Sequence, residues 1–187
     1  YGYGLRKEPH DLTPETSWFD MAQASINAIR EVDTNTLIMV GGNDWSSAER
    51  WIEQSDTLKY LKDPANNLAF EAHVYFDKDA SGTYKYSYEE EECYPEKGID
   101  RVKPFVEWIK QNKFHGFIGE YGIPDNDPRW NETLDLFLGY LQENGINGTY
   151  WAAGPWWDSY FMAITPKDGK DRPQMPIIEK YTSTLKK

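Results

Sequence analysis

The strongest constraint on this chain is a regular alternation of two hydrophobic periods. Short apolar runs occur at residues 3–5, 36–40 (TLIMV), 68–76 (LAFEAHVYF), 116–122 (GFIGEYG) and 148–153 (GTYWAA). Between them, apolar side chains recur at helical spacing. In the first such stretch, running from Pro14 to residue 32, Trp18, Met21, Ala22, Ile26 and Ile29 share one face, with Thr13 as the expected N-cap and Pro14 at the first helical position. Residues 46–61 read as one or two short helices with Trp51, Ile52 and Leu58 turned inward, and helices are predicted over 99–112, 128–144 and 173–185. Gly145 stands where a helix C-terminus needs glycine. Residues 77–97 read as loop, with the glutamates at 89–92 a solvated face. The order β-α-β-α-β-α-β-α-β-α, with strands apolar on both faces, predicts a parallel sheet with right-handed crossovers. That is either a doubly wound sheet or a (β/α) barrel.

Composition narrows the partners. The 187 residues carry 20 Lys+Arg against 31 Asp+Glu, a net charge of -11, which opposes binding to a phosphate backbone. The length fits one domain with a sizeable core. Aromatic residues make up 16% of the chain, with 8 Trp and 13 Tyr, so sugar faces are better matched as a ligand than nucleic acid. The single Cys93 excludes an internal disulfide or a thiolate metal cluster. No run approaches the roughly 18 apolar residues of a membrane span. The opening Tyr1-Gly2-Tyr3-Gly4-Leu5 lacks Met and any targeting pattern, and reads as the interior of a domain.

In either architecture, working residues gather at the C-terminal strand ends. Those ends carry Lys7-Glu8-Pro9-His10, Gly42-Asn43-Asp44-Trp45, His73-Val74-Tyr75, Glu120-Tyr121-Gly122, and Trp151 with Pro155-Trp156-Trp157. A charge on an otherwise apolar strand costs stability unless it is used or paired. Glu8 and Glu120 are either solvated strand-end charges or a working carboxyl pair, and paired carboxyls are what glycosidic cleavage requires. His73 is either a structural hydrogen-bonding residue or part of the same mouth as Tyr75, which alternation puts on its face. Trp45, Trp151, Trp156 and Trp157 are either core and interface residues or platforms for a sugar. His10, His73 and His115 show no metal-ligand spacing, and no phosphate-cradling glycine loop or Gly-x-Ser-x-Gly elbow occurs, so neither metal nor cofactor is expected.

Taken together, these segments resemble glycoside hydrolase family 5, the cellulase and endoglucanase family of retaining (β/α) barrel enzymes. Arg6-Lys7-Glu8-Pro9 resembles the family's Asn-Glu-Pro segment on strand four, His73-Val74-Tyr75 its His-x-Tyr on strand six, Gly119-Glu120-Tyr121-Gly122 its strand-seven segment, and the stretch from Tyr150 to Trp157 its strand eight. Gly41-Gly42-Asn43-Asp44-Trp45 is similar to its strand-five loop. The resemblance implies Glu8 as acid/base, Glu120 as nucleophile and Tyr75 and His73 as their partners. It implies Trp151, Trp156, Trp157, Trp45, Asn43 and Lys7 as substrate-binding residues.

It further implies β-1,4-glucan as substrate, carboxyl groups about 5 Å apart, no cofactor, and an extracellular enzyme. Residues 1–187 then correspond to strands four to eight of a TIM (β/α)8 barrel, a part that a second polypeptide or a second copy of the chain would complete. One departure bears on the chemistry. Lys7 replaces the family Asn, and a cation there either lowers the Glu8 pKa, opposing an acid role, or is paired and turned away. A non-catalytic scaffold that keeps the carboxylates without turnover is the alternative from another class. An open flavodoxin-like sheet holding an anionic cofactor is a weaker third, since the phosphate-binding glycines are missing.

Overall fold

The computed structural model describes residues 1–13, 15–157 and 159–182. The chain divides into two compact units, Tyr1–His73 with Val102–Gly119, and Val74–Arg101 with Glu120–Lys187. In chain order the elements are β1 (Gly2–Gly4), α1 (Trp18–Arg30), β2 (Leu37–Gly41), a single turn α2 (Asn43–Ser46), α3 (Trp51–Ser55), a 3-10 turn (Asp56–Tyr60) and β3 (Leu68–His73). Then come α4 (Lys97–Asn112), β4 (His115–Tyr121), α5 (Arg129–Glu143), β5 (Asn147–Tyr150), a 3-10 turn (Pro155–Trp157) and α6 (Met175–Tyr181).

The five strands form one sheet in the order β1-β2-β3-β4-β5. β1 pairs parallel with β2, Tyr3 opposite Ile38, and β2 with β3, Val40 opposite Phe70. This order decides between the two architectures that the hydrophobic pattern leaves open. A doubly wound sheet reverses direction at an inner strand, whereas strands that stay in sequence are the arrangement of a (β/α) barrel. The chain is therefore α/β of the TIM-barrel type.

The first unit is held by one face of α1 and an aromatic cluster. Trp18, Ala22, Ile26 and Arg30 follow each other at four-residue steps and are all buried. Trp18 Nε1 donates to the Gly41 carbonyl at 2.8 Å, tying the helix to the end of β2. Trp51 is fully buried with its ring centroid 4.6 Å from Phe105 and 5.5 Å from Trp108. In the second unit, Phe76, Trp130, Leu134 and Phe137 are buried, and Tyr84 stands edge-on to Trp130 at 5.0 Å.

Several sequence expectations need correction. Ser17, not Thr13, caps α1: its Oγ accepts from the Asp20 N–H at 3.3 Å, while Thr13 and Thr16 pair their hydroxyls 2.9 Å apart in the turn before it. Pro14 itself lies outside the described residues. Ile52 is exposed, because α3 has only five residues and buries Trp51 and Ser55 instead. Glu91 is not solvated; its carboxylate is buried and accepts the backbone N–H groups of Lys78 and Tyr86 at 2.8 and 2.9 Å. β3 ends at His73 and β5 at Tyr150, each three residues short of the predicted run. The last helix ends at Tyr181, and residues 183–185 of its predicted span lie outside the described residues. Gly145 has φ +66 just after α5, as expected. Among the described residues no helix is long and apolar enough to cross a membrane.

Candidate functional site

In the first unit, Glu8 follows β1 in a left-handed backbone conformation (φ 47) that a residue with a Cβ seldom adopts. Its half-buried carboxylate meets His73 at the end of β3, Oε1 to Nδ1, at 2.7 Å. His73 is buried, and its carbonyl accepts the Ala48 N–H at 3.0 Å, which fixes the strand end against the following segment. The other ring nitrogen, Nε2, stands 3.3 Å from Glu71 Oε1. Burial works to raise the Glu8 carboxyl, but the His73 hydrogen bond and charge, with smaller contributions from Lys7 and His10, outweigh it and hold Glu8 below its ordinary value. Lys7 thus acts in the direction that its charge implies.

Beyond β2, Asp44, Trp45 and Ser46 are successive left-handed residues (φ 55, 54 and 57), a local strain that turns the Trp45 ring outward. The ring lies flat on His10, centroids 4.5 Å apart and planes 10° apart. Asn43 is spent on structure: its N–H donates to Ser55 Oγ at 2.9 Å and its side-chain amide to the Gln54 carbonyl at 3.2 Å. His10, Asp11, Asn43, Trp45 and Thr57 line a cavity of about 420 Å³.

In the second unit, the buried Tyr75 donates its hydroxyl to Glu120 Oε2 at 2.7 Å, and Glu120 is itself buried near the end of β4. Burial, and then the charge of Glu120, drive the Tyr75 hydroxyl far up, so it stays a donor. Three features hold its ring. Arg101 donates to the carbonyls of Tyr75 and Asp77, both at 2.6 Å. Tyr84 Oη accepts the Phe76 N–H at 2.9 Å and donates to the Gly122 carbonyl at 2.6 Å. Gly82, at φ +73, lies where a Cβ would come within 2.9 Å of the Tyr75 ring, so the chain passes over the ring only as glycine. The intervening turn is organised by the buried Asp77, whose carboxylate accepts the N–H groups of Gly82 and Thr83, both at 3.0 Å, and of Tyr84 at 3.2 Å.

Trp151 follows β5, its N–H donating to the Tyr121 carbonyl at 2.8 Å, and its peptide bond to Ala152 is cis. Its ring stands 4.9 Å from Trp157, which in turn stands 5.1 Å from Tyr160. Trp156 is almost fully exposed.

The structure therefore brings together Glu8 with His73, and Asn43 with Trp45, in the first unit; in the second it joins Tyr75 with Glu120 and Trp151 with Trp157. Lys7 is exposed beside Glu8. Sequence reasoning missed Glu71, Asp77, Tyr84 and Arg101. Glu71 had a legible signal, since it is a charge on an apolar strand two residues before His73. The other three act through contacts to loop backbone that no local pattern encodes.

Fold and site define a (β/α)-barrel-type chain whose strand ends carry carboxylates bonded to an imidazole and a phenol beside exposed aromatic faces. It belongs to the cellulase family, glycosyl hydrolase family 5, whose model matches residues 2–156. Over 185 residues it is 36% identical to a probable endo-beta-1,4-glucanase B of Aspergillus kawachii, which covers 96% of this chain and 53% of the relative. It is also similar to the crystal structure of Pseudomonas stutzeri endoglucanase Cel5A, with TM-score 0.89 and 41% identity over 98% of this chain and 55% of that one. The same enzyme in complex with cellobiose gives TM-score 0.89 at 43% identity, over 98% of this chain and 54% of that one. The chain spans about half the length of the relatives it matches.

Proposed function

We propose that this chain forms the part of a retaining endo-β-1,4-glucanase that carries its two catalytic carboxyls. Glu8 protonates the glycosidic oxygen as Glu120 attacks the anomeric carbon. Glu8 then takes a proton from the water that releases the glycosyl–Glu120 ester, so configuration is retained over two inversions. Tyr75 orients Glu120 by donating to it, and His73 orients Glu8. Trp151 serves as the sugar platform, with Trp45, Trp156, Trp157 and Lys7 as further contacts, while Asn43 holds the loop that carries Trp45. The observation that carries this reading is the buried 2.7 Å bond from Tyr75 to Glu120, set in a chain of this family. A carboxylate so placed on an otherwise apolar strand is costly without a use.

On this reading residues 1–187 correspond to strands four to eight of the family barrel, completed by a polypeptide carrying the first strands or by a second copy. β-Glucan is the substrate, and the enzyme works outside the cell, where that polymer is met. Exchanging Glu120→Gln should abolish hydrolysis of a soluble cellulose derivative while oligosaccharide binding persists; turnover at the unmodified rate would remove Glu120 from the nucleophile role. One observation favours a second reading, a scaffold without turnover: Glu8 is held below its ordinary value, with Lys7 contributing where the family pattern has Asn. Assaying the chain alone and with the missing barrel part separates the two, since a scaffold stays inactive in both.

A further inference from the structure

Glu71 is a charged group in contact with His73 that the proposed reaction does not use. It lies two residues before His73 on β3, so alternation turns both side chains to the same face. Its Oε1 is 3.3 Å from Nε2 of the ring whose Nδ1 is 2.7 Å from Glu8 Oε1. Space for this carboxylate comes from Gly119 on β4. A Cβ there would lie 2.0 Å from Glu71 Oε1, 2.7 Å from Cδ and 2.9 Å from Cγ, so any other residue at 119 displaces the Glu71 side chain.

An imidazole with a carboxyl group at each nitrogen has limited choices. The neutral ring offers one N–H and one lone pair, and a lone pair facing a carboxylate is repelled. The two contacts therefore need two protons between them. Either both sit on the ring, or one sits on Nε2 and the other on Glu8. The third arrangement, a protonated Glu71 donating to Nε2, is set aside because an O–H donor approaches more closely than an N–H donor, and 3.3 Å is already long for the latter. In both surviving arrangements Nε2 carries a proton.

We propose that Glu71 is a positioning residue that fixes this Nε2 proton, leaving the proton between Nδ1 and Glu8 as the mobile one. In moving, it breaks the Nδ1–H bond of an imidazolium and forms the O–H bond of the Glu8 carboxyl; the ring becomes neutral and no other reactant is needed. His73 thereby stores the proton that Glu8 delivers. The inference rests on the reading of Glu8 as acid/base, with Lys7 and His10 the other cationic groups acting on Glu8.

The test is 15N NMR of the histidine-labelled full chain, with Glu71→Gln and Gly119→Ala as the perturbations, the second displacing the carboxylate without removing it. In the unmodified protein Nε2 should keep a pyrrole-type shift across the titration while Nδ1 changes. In both variants Nε2 should gain a pyridine-type population. In the assembled enzyme kcat should fall about 10- to 100-fold with KM within about twofold, and the basic limb of kcat/KM should move to lower pH, because the anion that favours the protonated pair has gone. Retained Nε2 protonation with unmoved limbs in both variants would overturn the proposal, even if activity dropped through lost stability. The ring shifts report without turnover, so wild-type activity in Glu8→Gln would sink the acid/base reading separately.

Discussion

Arg30→Met isolates a deeply buried ion pair of the first unit. The substitution keeps most of the side chain's apolar length and removes its guanidinium. Arg30 ends α1 with its side chain 5% exposed, and Asp63 is 1% exposed. Arg30 Nε and Nη2 donate to the two Asp63 oxygens at 2.6 and 2.9 Å, and Nη1 donates to the carbonyls of Asp33 and Thr36 at 3.0 and 2.8 Å. The pair thus clamps the turns that lead into β2 and β3. Removing one partner of a buried pair costs about 3–5 kcal/mol. Asp63 would keep the Ala65 and Asn67 N–H donors at 3.1 and 2.9 Å. The expected loss is therefore at the lower end, about 3 kcal/mol.

Urea unfolding at neutral pH should show that loss as a lower midpoint at constant slope. The acid limb supplies a second check. The Arg30 bond lowers the Asp63 carboxyl, burial opposes it, and the Asn67 and Ala65 N–H groups add to the lowering. A carboxyl depressed in the folded state stabilises above its unfolded value, about 3.9, and that stabilisation is lost as pH falls through the folded value. Stability of Arg30→Met should therefore fall less steeply below about pH 4 than that of the parent. A loss under about 1 kcal/mol, with the acid limb unchanged, would refute the reasoning.

Two further outcomes follow from the site. Tyr75→Phe keeps the ring and removes one donor to the buried Glu120, so turnover on a soluble cellulose derivative should fall about 10- to 100-fold and the fold should lose about 1–3 kcal/mol. Lys7→Asn restores the residue of the family pattern and removes one of the lowering influences on Glu8, so the basic limb of kcat/KM should move to higher pH; an unmoved limb would mean that Lys7 does not act on this carboxyl.

Legibility differed between elements for physical reasons. β2 was readable because it is apolar on both faces and bounded by glycine, and α1 because its buried residues repeat every fourth position over thirteen residues. Its start was misplaced because Thr13 and Ser17 are chemically equivalent caps, and only the hydroxyl pairing of Thr13 with Thr16 separates them. Ile52 failed because a five-residue helix is too short to establish a period. Glu91 failed because composition cannot see that two N–H groups, five and thirteen residues away, converge on one carboxylate. The choice between a doubly wound sheet and a barrel was closed to any local pattern, since both are built from the same βα units and differ only in strand order. Glu71 was within reach: the rule that singled out Glu120, a charge on an apolar strand, applies to it without change.

The two carboxylates are held in different ways, and the difference bears on the roles proposed for them. Glu120 is buried and accepts from a phenol that burial keeps protonated, so its donor is neutral and lends it no proton. Glu8 is half-buried and faces an imidazole, a partner that can exchange a proton with it near neutral pH. A nucleophile needs a fixed anion; an acid/base needs a proton that leaves and returns within one turnover. Phenol suits the first requirement and imidazole the second, so the neighbours alone favour Glu120 as nucleophile and Glu8 as acid/base. The depressed Glu8 carboxyl is consistent with this division if His73 holds the proton between turnovers. In that case the acid's supply is set by the Glu8–His73 pair, and the value of the isolated carboxyl understates it.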